Sequence, residues 1–197
     1  MTDRVFFKNN PWPEGHPVNE FMWEAQLRED QVWFHFHLST ENYYSERDID
    51  DDEEREYESD WEAPIVWGNY HSCTISTSQW HEGGFYVCSQ KEFSETKLDG
   101  LELEIDNDPE NIKEWDDLAF HIYLLGHDAV AKHKIKFVRA ADSLFEIQWS
   151  EKMHKHMSVT MSSSMTSMQY LRTCNFLSFN KAHNKQLHST IYALSFV

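Results

Sequence analysis

Glycine is scarce in this sequence, with six residues among 197. Neither the GxGxxG turn of dinucleotide-binding folds nor the GxxxxGK[ST] phosphate loop occurs, and both motifs need glycines so that the backbone can approach phosphate groups. Rossmann-type and P-loop chemistry are therefore excluded. The GxSxG motif of serine hydrolases is also missing. No catalytic residue can be assigned, and the sequence favours a protein that is not an enzyme.

Cysteine is equally rare, with three thiols at Cys73, Cys88 and Cys174. They are too few and too scattered for a disulfide framework or a cysteine-only zinc site. No apolar run approaches the roughly 20 residues that span a bilayer. The first residues also lack the apolar segment and cleavage site of a secretory signal. We therefore expect a cytoplasmic protein with reduced thiols and no contact with a membrane.

Basic residues are also few. The sequence has 17 Lys and Arg but 34 Asp and Glu, which gives a net charge of −17. The imbalance lies in residues 1–127, which hold eight basic and thirty acidic residues. Nucleic acids and anionic membranes are bound through Lys and Arg, so this surface repels them. The charge therefore predicts that the protein does not bind nucleic acid directly. It also predicts that its partner is a basic protein.

The acidity is most concentrated in residues 45–62, where eleven acidic residues accompany two arginines. Such a segment repels itself, which predicts an exposed loop available for interaction. Tyr57 and Trp61 are candidate anchors, because large aromatic side chains dominate binding energy at interfaces. The acidic candidates for partner binding are Asp48, Asp50, Asp51, Asp52, Glu53 and Glu54.

Alternating apolar and polar residues predict a mainly β protein, with the clearest signal at residues 20–39. A turn at Glu29 and Asp30 makes a hairpin that pairs Trp23 with Phe36 and places every apolar residue on one face. Further strands are predicted at 65–78, 85–90, 98–106 and 118–124, followed by a hairpin that pairs Phe137 with Phe145 and Lys136 with Glu146. We expect a single domain over 1–197, folded as an antiparallel β-sandwich or open barrel of roughly 8–10 strands.

A Met- and Ser-rich segment at 153–168 differs from this pattern. Its methionines recur at intervals of four, four, four and three residues, which favours a C-terminal helix, although the Ser and Thr between them lower helix propensity. Residues 191–197 are predicted to form a last strand. His154 and His156 lie beside these methionines. Methionine thioethers and histidine imidazoles together suit Cu(I), so a copper site is an alternative interpretation of this segment.

The strongest metal candidate is His35 with His37, whose side chains share one face of a strand. The hairpin register places Glu24 opposite His35, so that its carboxylate could complete a divalent metal site with an open position. The two histidines followed by Glu41 resemble the first metal motif of the cupin barrels. The glycines of that motif and a second motif are absent here, so the family is not assigned. The alternative is that both histidines lie on a solvated strand face.

Three hypotheses about function follow. The first is a non-catalytic, acidic protein-binding module, of which an immunity or antitoxin protein that inhibits a basic partner is one type. The second is a metal-dependent β-barrel enzyme or sensor that uses His35, His37 and Glu24. The third is a β-barrel that encloses a small apolar molecule. The first needs no organic cofactor and rests on the property that is most pronounced, the charge.

Overall fold

The computed structural model describes residues 3–46, 56–77, 83–112, 117–142, 144–153 and 168–175. These residues form ten strands and two one-turn helices, with a 3₁₀ turn at Pro109–Asn111. In chain order the elements are β1 (Arg4–Phe7), β2 (His16–Arg28), β3 (Gln31–Thr40), α1 (Pro64–Trp67), β4 (Thr74–Ser76), β5 (Phe85–Ser89), α2 (Glu95–Leu98), β6 (Glu102–Ile105), β7 (His121–Tyr123), β8 (His127–Ala141), β9 (Leu144–Met153) and β10 (Met168–Asn175).

The strands form one strongly curled antiparallel sheet. Its order is β2-β1-β10-β9-β8-β7-β4-β3-β5, and β2 also pairs with β3, so the sheet curls back on its first strand. β6 and β7 both pair with β8, along the same edge of that strand. β4 and β5 likewise both pair with one edge of β3. The architecture confirms the expectation of an antiparallel sandwich or open barrel, with ten strands.

The first hairpin is confirmed residue by residue. Trp23 pairs with Phe36 and Glu24 with His35, as the alternation predicts. The chain turns at Glu29, whose φ is 53°. From Phe21 to Leu27 and from Val32 to Leu38 every inward position is apolar, so a shift by one residue would turn this apolar set towards solvent.

The second hairpin, β8–β9, is correctly located, but its predicted register is wrong by two residues. Phe137 pairs with Ile147 rather than with Phe145, and Lys136 pairs with Gln148 rather than with Glu146. A shift of two residues keeps each side chain on the same face, so apolar alternation cannot distinguish the two registers. The expected charge pair of Lys136 is made instead across the other edge, where its ammonium group contacts the carboxylate of Glu102 at 2.5 Å.

Three predicted strands are shorter than the sequence suggests. Within 98–106, Leu98 ends helix α2, and only Glu102–Ile105 forms a strand. Helix α1, which has Pro64 in its first turn, takes up the beginning of 65–78, and only Thr74–Ser76 of that range forms a strand. Within 118–124, the strand is limited to His121–Tyr123. Leu118, Phe120 and Leu124 are nevertheless buried. The apolar pattern therefore identified burial correctly, and burial alone does not require pairing in a sheet.

The methionine segment begins and ends in strands, since Met153 closes β9 and Met168 opens β10. The intervening residues 154–167, and 191–197, lie outside the described residues, so the helix and the last strand stay predictions. No helix in the described part of the chain is long and apolar enough to cross a membrane.

Aromatic side chains fill the space inside the curled sheet. Trp149 of β9 lies 5.7 Å from Phe36 of β3, and Trp23 of β2 lies 5.0 Å from Phe137 of β8, measured between ring centroids. Such pairs add about 0.5–1.5 kcal/mol each beyond the area that they bury. A second group of rings surrounds Trp67 of α1. Its members are Phe7, Trp12, His16, Tyr43 and Trp61.

Candidate functional site

An acidic cleft of about 410 Å³ lies between the segment that follows β1 and the segment that precedes α1. Its lining consists of residues 9–11 together with Glu56, Tyr57, Glu58 and Glu62. Glu56 and Glu58 are exposed, whereas Tyr57 and Glu62 are half-buried. Among the residues that the structure describes, neither lysine nor arginine lines this cleft, which we call the acidic cleft from here on.

Arg4 of β1 holds the chain just before the most acidic stretch. Its guanidinium group forms a two-pronged ion pair with the carboxylate of Glu46 and donates to the carbonyl oxygens of Glu14 and Gly15. The hydrogen bond from Arg4 lowers the pKa of Glu46, and the same bond raises the pKa of Arg4.

Trp61 holds the chain after that stretch. Its ring is 1% exposed and lies 4.9 Å from the ring of Trp67 and 6.0 Å from that of Phe7. Its indole N–H donates to the carbonyl oxygen of Lys8 at 3.1 Å. The expectation that Trp61 anchors a partner is therefore corrected, because its ring is used within the core.

The other predicted contact residues divide into two groups. Tyr57 lies in the acidic cleft, where its ring is partly accessible. The acidic candidates at 48 and 50–54 lie outside the described residues and stay predictions. The sequence pointed to the 45–62 segment, whereas nothing in the pattern of residues 9–11 indicated that they form the opposite wall.

His35 lies on the outer face of β3, where its ring is packed and hydrogen-bonded. Its Nε2 atom lies 3.1 Å from Oε1 of Gln26 and 3.3 Å from a guanidinium nitrogen of Arg28. The backbone of Gly84 packs against the same ring edge, since a Cβ atom added there would lie 2.9 Å from Nε2. Burial, assisted by Arg28, lowers the pKa of His35 to about 4. The guanidinium charge also opposes a cation at this nitrogen.

His37 and Glu24 are the other candidates for metal ligands. Nε2 of His37 lies 3.7 Å from a carboxylate oxygen of Glu20. Burial lowers the pKa of His37, with Glu20 opposing that change, and burial raises the pKa of Glu24. Across the described ranges, no group of three or more His, Cys, Asp or Glu residues is placed to hold a metal ion. Metal binding by His35, His37 and Glu24 stays a prediction of the sequence.

The sheet interior contains a polar pair that the sequence analysis missed. His133 of β8 and Glu151 of β9 are 0% and 2% exposed, and a carboxylate oxygen of Glu151 lies 3.1 Å from Nδ1 of His133. A signal was present, because Glu151 occupies the same strand face as the apolar residues Ile147 and Trp149. A carboxylate in an inward position needs a partner.

Comparison of this chain with protein-family models, with curated proteins and with solved structures gave no match.

Proposed function

We propose that this chain is a non-catalytic protein-binding module whose acidic cleft receives basic side chains of a protein partner. The observation that carries the proposal is the contrast between the carboxylates of the cleft and those of β6 and α2. Glu102 and Glu104 of β6 are each matched by a lysine of β8 at 2.5 and 2.9 Å, and Glu95 is matched by Arg139.

The carboxylates of the acidic cleft have no such match. Among the described residues, Glu56, Glu58 and Glu62 form no ion pair with a lysine or an arginine, and they share a concave wall with the ring of Tyr57. An arginine or lysine side chain from another protein could place its charge among these carboxylates and its methylene groups on the tyrosine ring. The cleft thus combines charge with an aromatic contact surface.

The overall charge supports the same proposal. A net charge of −17 accelerates encounter with a basic protein, and complementary charges favour the correct partner. An immunity or antitoxin protein that covers a basic nuclease is one class of module with this requirement, and the proposed activity is inhibition by occupancy. A cytoplasmic location belongs to the same proposal and stays a prediction from the sequence.

The test is to capture proteins from an extract of the source cells on the immobilised chain at low salt, and to elute them at about 0.5 M salt, where charge interactions are screened over about 4 Å. The affinity of each captured protein is then measured for the wild type and for a Glu56→Gln/Glu58→Gln/Glu62→Gln variant. Exposed ion pairs contribute about 0.2–1 kcal/mol each, so we expect the triple variant to bind about 3- to 100-fold more weakly.

A control variant with the same change in charge separates the cleft from the general acidity. Asp30→Asn/Glu41→Gln/Glu110→Gln neutralises three exposed carboxylates elsewhere on the chain and should retain most of the affinity. Equal losses in the two variants would show that the cleft is not the binding site, and captured proteins that are all acidic or insensitive to salt would contradict the proposal.

A further inference from the structure

Two aromatic rings meet on the outer face of the sheet, near the turn of the β2–β3 hairpin. Tyr86 of β5 lies directly opposite Trp33 of β3, and the two ring centroids are 6.2 Å apart at an interplanar angle of 66°. The pairing of β3 with β5 shifts between Val32 and Trp33, and such an irregularity changes the direction of side chains. Tyr86 is 48% exposed and Trp33 is half-buried. The two rings therefore form an accessible aromatic surface outside the core.

Arg28 of β2 is fixed against this surface. Its guanidinium carbon lies 4.7 Å from the centroid of the Trp33 ring. The same guanidinium group donates to the carbonyl oxygen of Gly83 at 2.6 Å and, through Nε, to Oε1 of Gln26 at 2.8 Å. These contacts hold the side chains of Arg28 and Gln26 in one arrangement beside the aromatic pair.

Two glutamine amides beside the rings are oriented by the same network. Oε1 of Gln26 accepts from Arg28, and Oε1 of Gln31 accepts from the indole N–H of Trp33 at 3.1 Å. Because a guanidinium group and an indole N–H can only donate, they fix which end of each amide points away from them. Within the described residues, Nε2 of each amide has no hydrogen-bond partner. Both glutamines are exposed, so their amides offer N–H donors to a ligand.

We propose that this surface binds a proline-rich segment of a protein in the polyproline II conformation. We call the surface the aromatic platform, and its members are Gln26, Arg28, Gln31, Trp33 and Tyr86. Such a segment presents pyrrolidine rings, which pack on aromatic side chains, and carbonyl oxygens that no internal hydrogen bond occupies. These oxygens are acceptors for the two glutamine amides. Proline has no N–H, so the segment requires no acceptor from the platform in return.

The dimensions of the platform match this conformation. Gln26, Trp33 and Tyr86 lie in one row across β2, β3 and β5. Neighbouring strands are about 4.8 Å apart, so the row extends about 10 Å. One turn of polyproline II contains three residues and rises about 9 Å. A segment that crosses the strands along this row therefore brings a pyrrolidine ring to the aromatic pair and a carbonyl oxygen, one turn away, to the amide of Gln26.

A carboxylate beside the platform indicates the charge of the ligand. Glu24 lies on the same face of β2 as Gln26, opposite His35, and about 7 Å along the strand from Gln26. Within the part of the chain that the structure describes, Glu24 forms no ion pair with a lysine or an arginine. Burial raises its pKa, and a cation nearby favours its charged form. We therefore expect a basic residue next to the prolines of the ligand.

The platform shares no residue with the acidic cleft, so this inference is independent of the proposed function. Its test is a titration of the isotope-labelled chain with a synthetic peptide of consecutive prolines that carries an arginine at each end. We expect saturable binding by calorimetry. In NMR spectra, the indole N–H of Trp33 and the side-chain amides of Gln26 and Gln31 should shift together as the peptide is added.

Tyr86→Ala should weaken binding of this peptide about 5- to 30-fold, as expected for an aromatic side chain that dominates an interface. Tyr123→Ala is the matched control, since it removes a tyrosine of β7 that is 38% exposed and lies outside the platform. Its affinity should equal that of the wild type. Equal losses in the two variants overturn the proposal.

The contribution of Glu24 is measured with a second peptide in which glutamine replaces both arginines. Glu24→Gln should weaken binding of the arginine peptide about 2- to 5-fold and leave binding of the glutamine peptide unchanged. Glu110→Gln, which neutralises an exposed carboxylate elsewhere, should change neither. The same effect of Glu24→Gln on both peptides would contradict the expected basic ligand.

Replacing the prolines by alanines should abolish binding, and binding that persists overturns the proposal. The absence of saturable binding to the wild type also overturns it. If a neutral oligosaccharide shifts the same signals and the peptide does not, the platform binds a saccharide and the proposal is wrong. The wild-type signals of Trp33, Gln26 and Gln31 decide the location even if Tyr86→Ala does not fold.

Discussion

Gly84 shows how one residue holds the histidine of the outer face in place. Its φ is 103°, and an added Cβ would lie 2.7 Å from Cε1 of His35 and 2.9 Å from the carbonyl oxygen of Phe34. Gly84→Ala therefore combines backbone strain with a steric clash, and we expect a loss of about 2–5 kcal/mol in the free energy of unfolding. Urea unfolding measures the loss.

Gly100→Ala is the control for this prediction, since Gly100 has a φ of 78° and no atom within 4 Å of the added Cβ. It should cost about 1–2 kcal/mol from backbone strain alone. Equal losses in the two variants would mean that Gly84 does not pack on His35.

Trp61 and Tyr57 are close in sequence but have different roles, and mutation should separate them. Trp61 is buried among aromatic rings, so Trp61→Ala should lower the free energy of unfolding by about 3–5 kcal/mol. Tyr57 lies in the acidic cleft, so Tyr57→Ala should weaken partner binding while changing stability by less than about 1 kcal/mol. Thermal unfolding and titration with the captured partner measure the two effects, and a stable Trp61→Ala variant would contradict this assignment.

At the scale of elements, the sequence predicted the strand pairings that the alternation of apolar and polar residues determines. It missed the pairings that this alternation leaves open. The β2–β3 hairpin could be derived because residues 21–38 alternate without a break on both sides of the turn at Glu29. The β8–β9 register could not, because a shift of two residues leaves every side chain on its face. A bulge in β8 between Ala131 and Lys134 adds a residue that no apolar pattern reveals.

One wall of the acidic cleft could be predicted from the sequence, and the other wall could not. Its acidic wall at residues 56–62 follows from composition, since charge density is visible in the sequence. The opposite wall at residues 9–11 comes from a different part of the chain and depends on tertiary packing. The burial of Trp61 likewise depends on Trp67 and Phe7, so its side chain could not be distinguished from an exposed anchor.

The β8–β9 register can be tested by engineered disulfides in a Cys88→Ser background, which removes the half-buried native thiol. Lys136 and Gln148 are direct partners, and paired residues on antiparallel strands lie within the Cα range that a disulfide bridges. We therefore expect Lys136→Cys/Gln148→Cys to oxidise readily and Lys136→Cys/Glu146→Cys to remain largely reduced. Mass spectrometry after air oxidation measures both, and the reverse result would restore the register derived from the sequence.

At the scale of the whole molecule, acid has two opposing effects on stability. With a net charge of −17, protonation of exposed carboxylates relieves repulsion in the folded chain. Buried histidines act in the opposite direction. His16 is 1% exposed and stacks on Trp67 at 5.5 Å, and burial, assisted by Arg4, lowers its pKa from 6.5 to about 4. The unfolded chain therefore binds a proton at a pH where folded His16 does not.

His16 should consequently stabilise the fold less as the pH falls from about 6.5 to about 4, because the unfolded state is the one that takes up the proton. The lost contribution is about 2–3 kcal/mol between pH 7 and pH 4.5. In His16→Gln this part of the acid sensitivity is absent, so the stability difference between wild type and variant should shrink by that amount across the interval. Urea unfolding at several pH values measures it, with His71→Gln as the exposed control. A difference that stays constant with pH would show that His16 is not held in its neutral form by the aromatic rings around it.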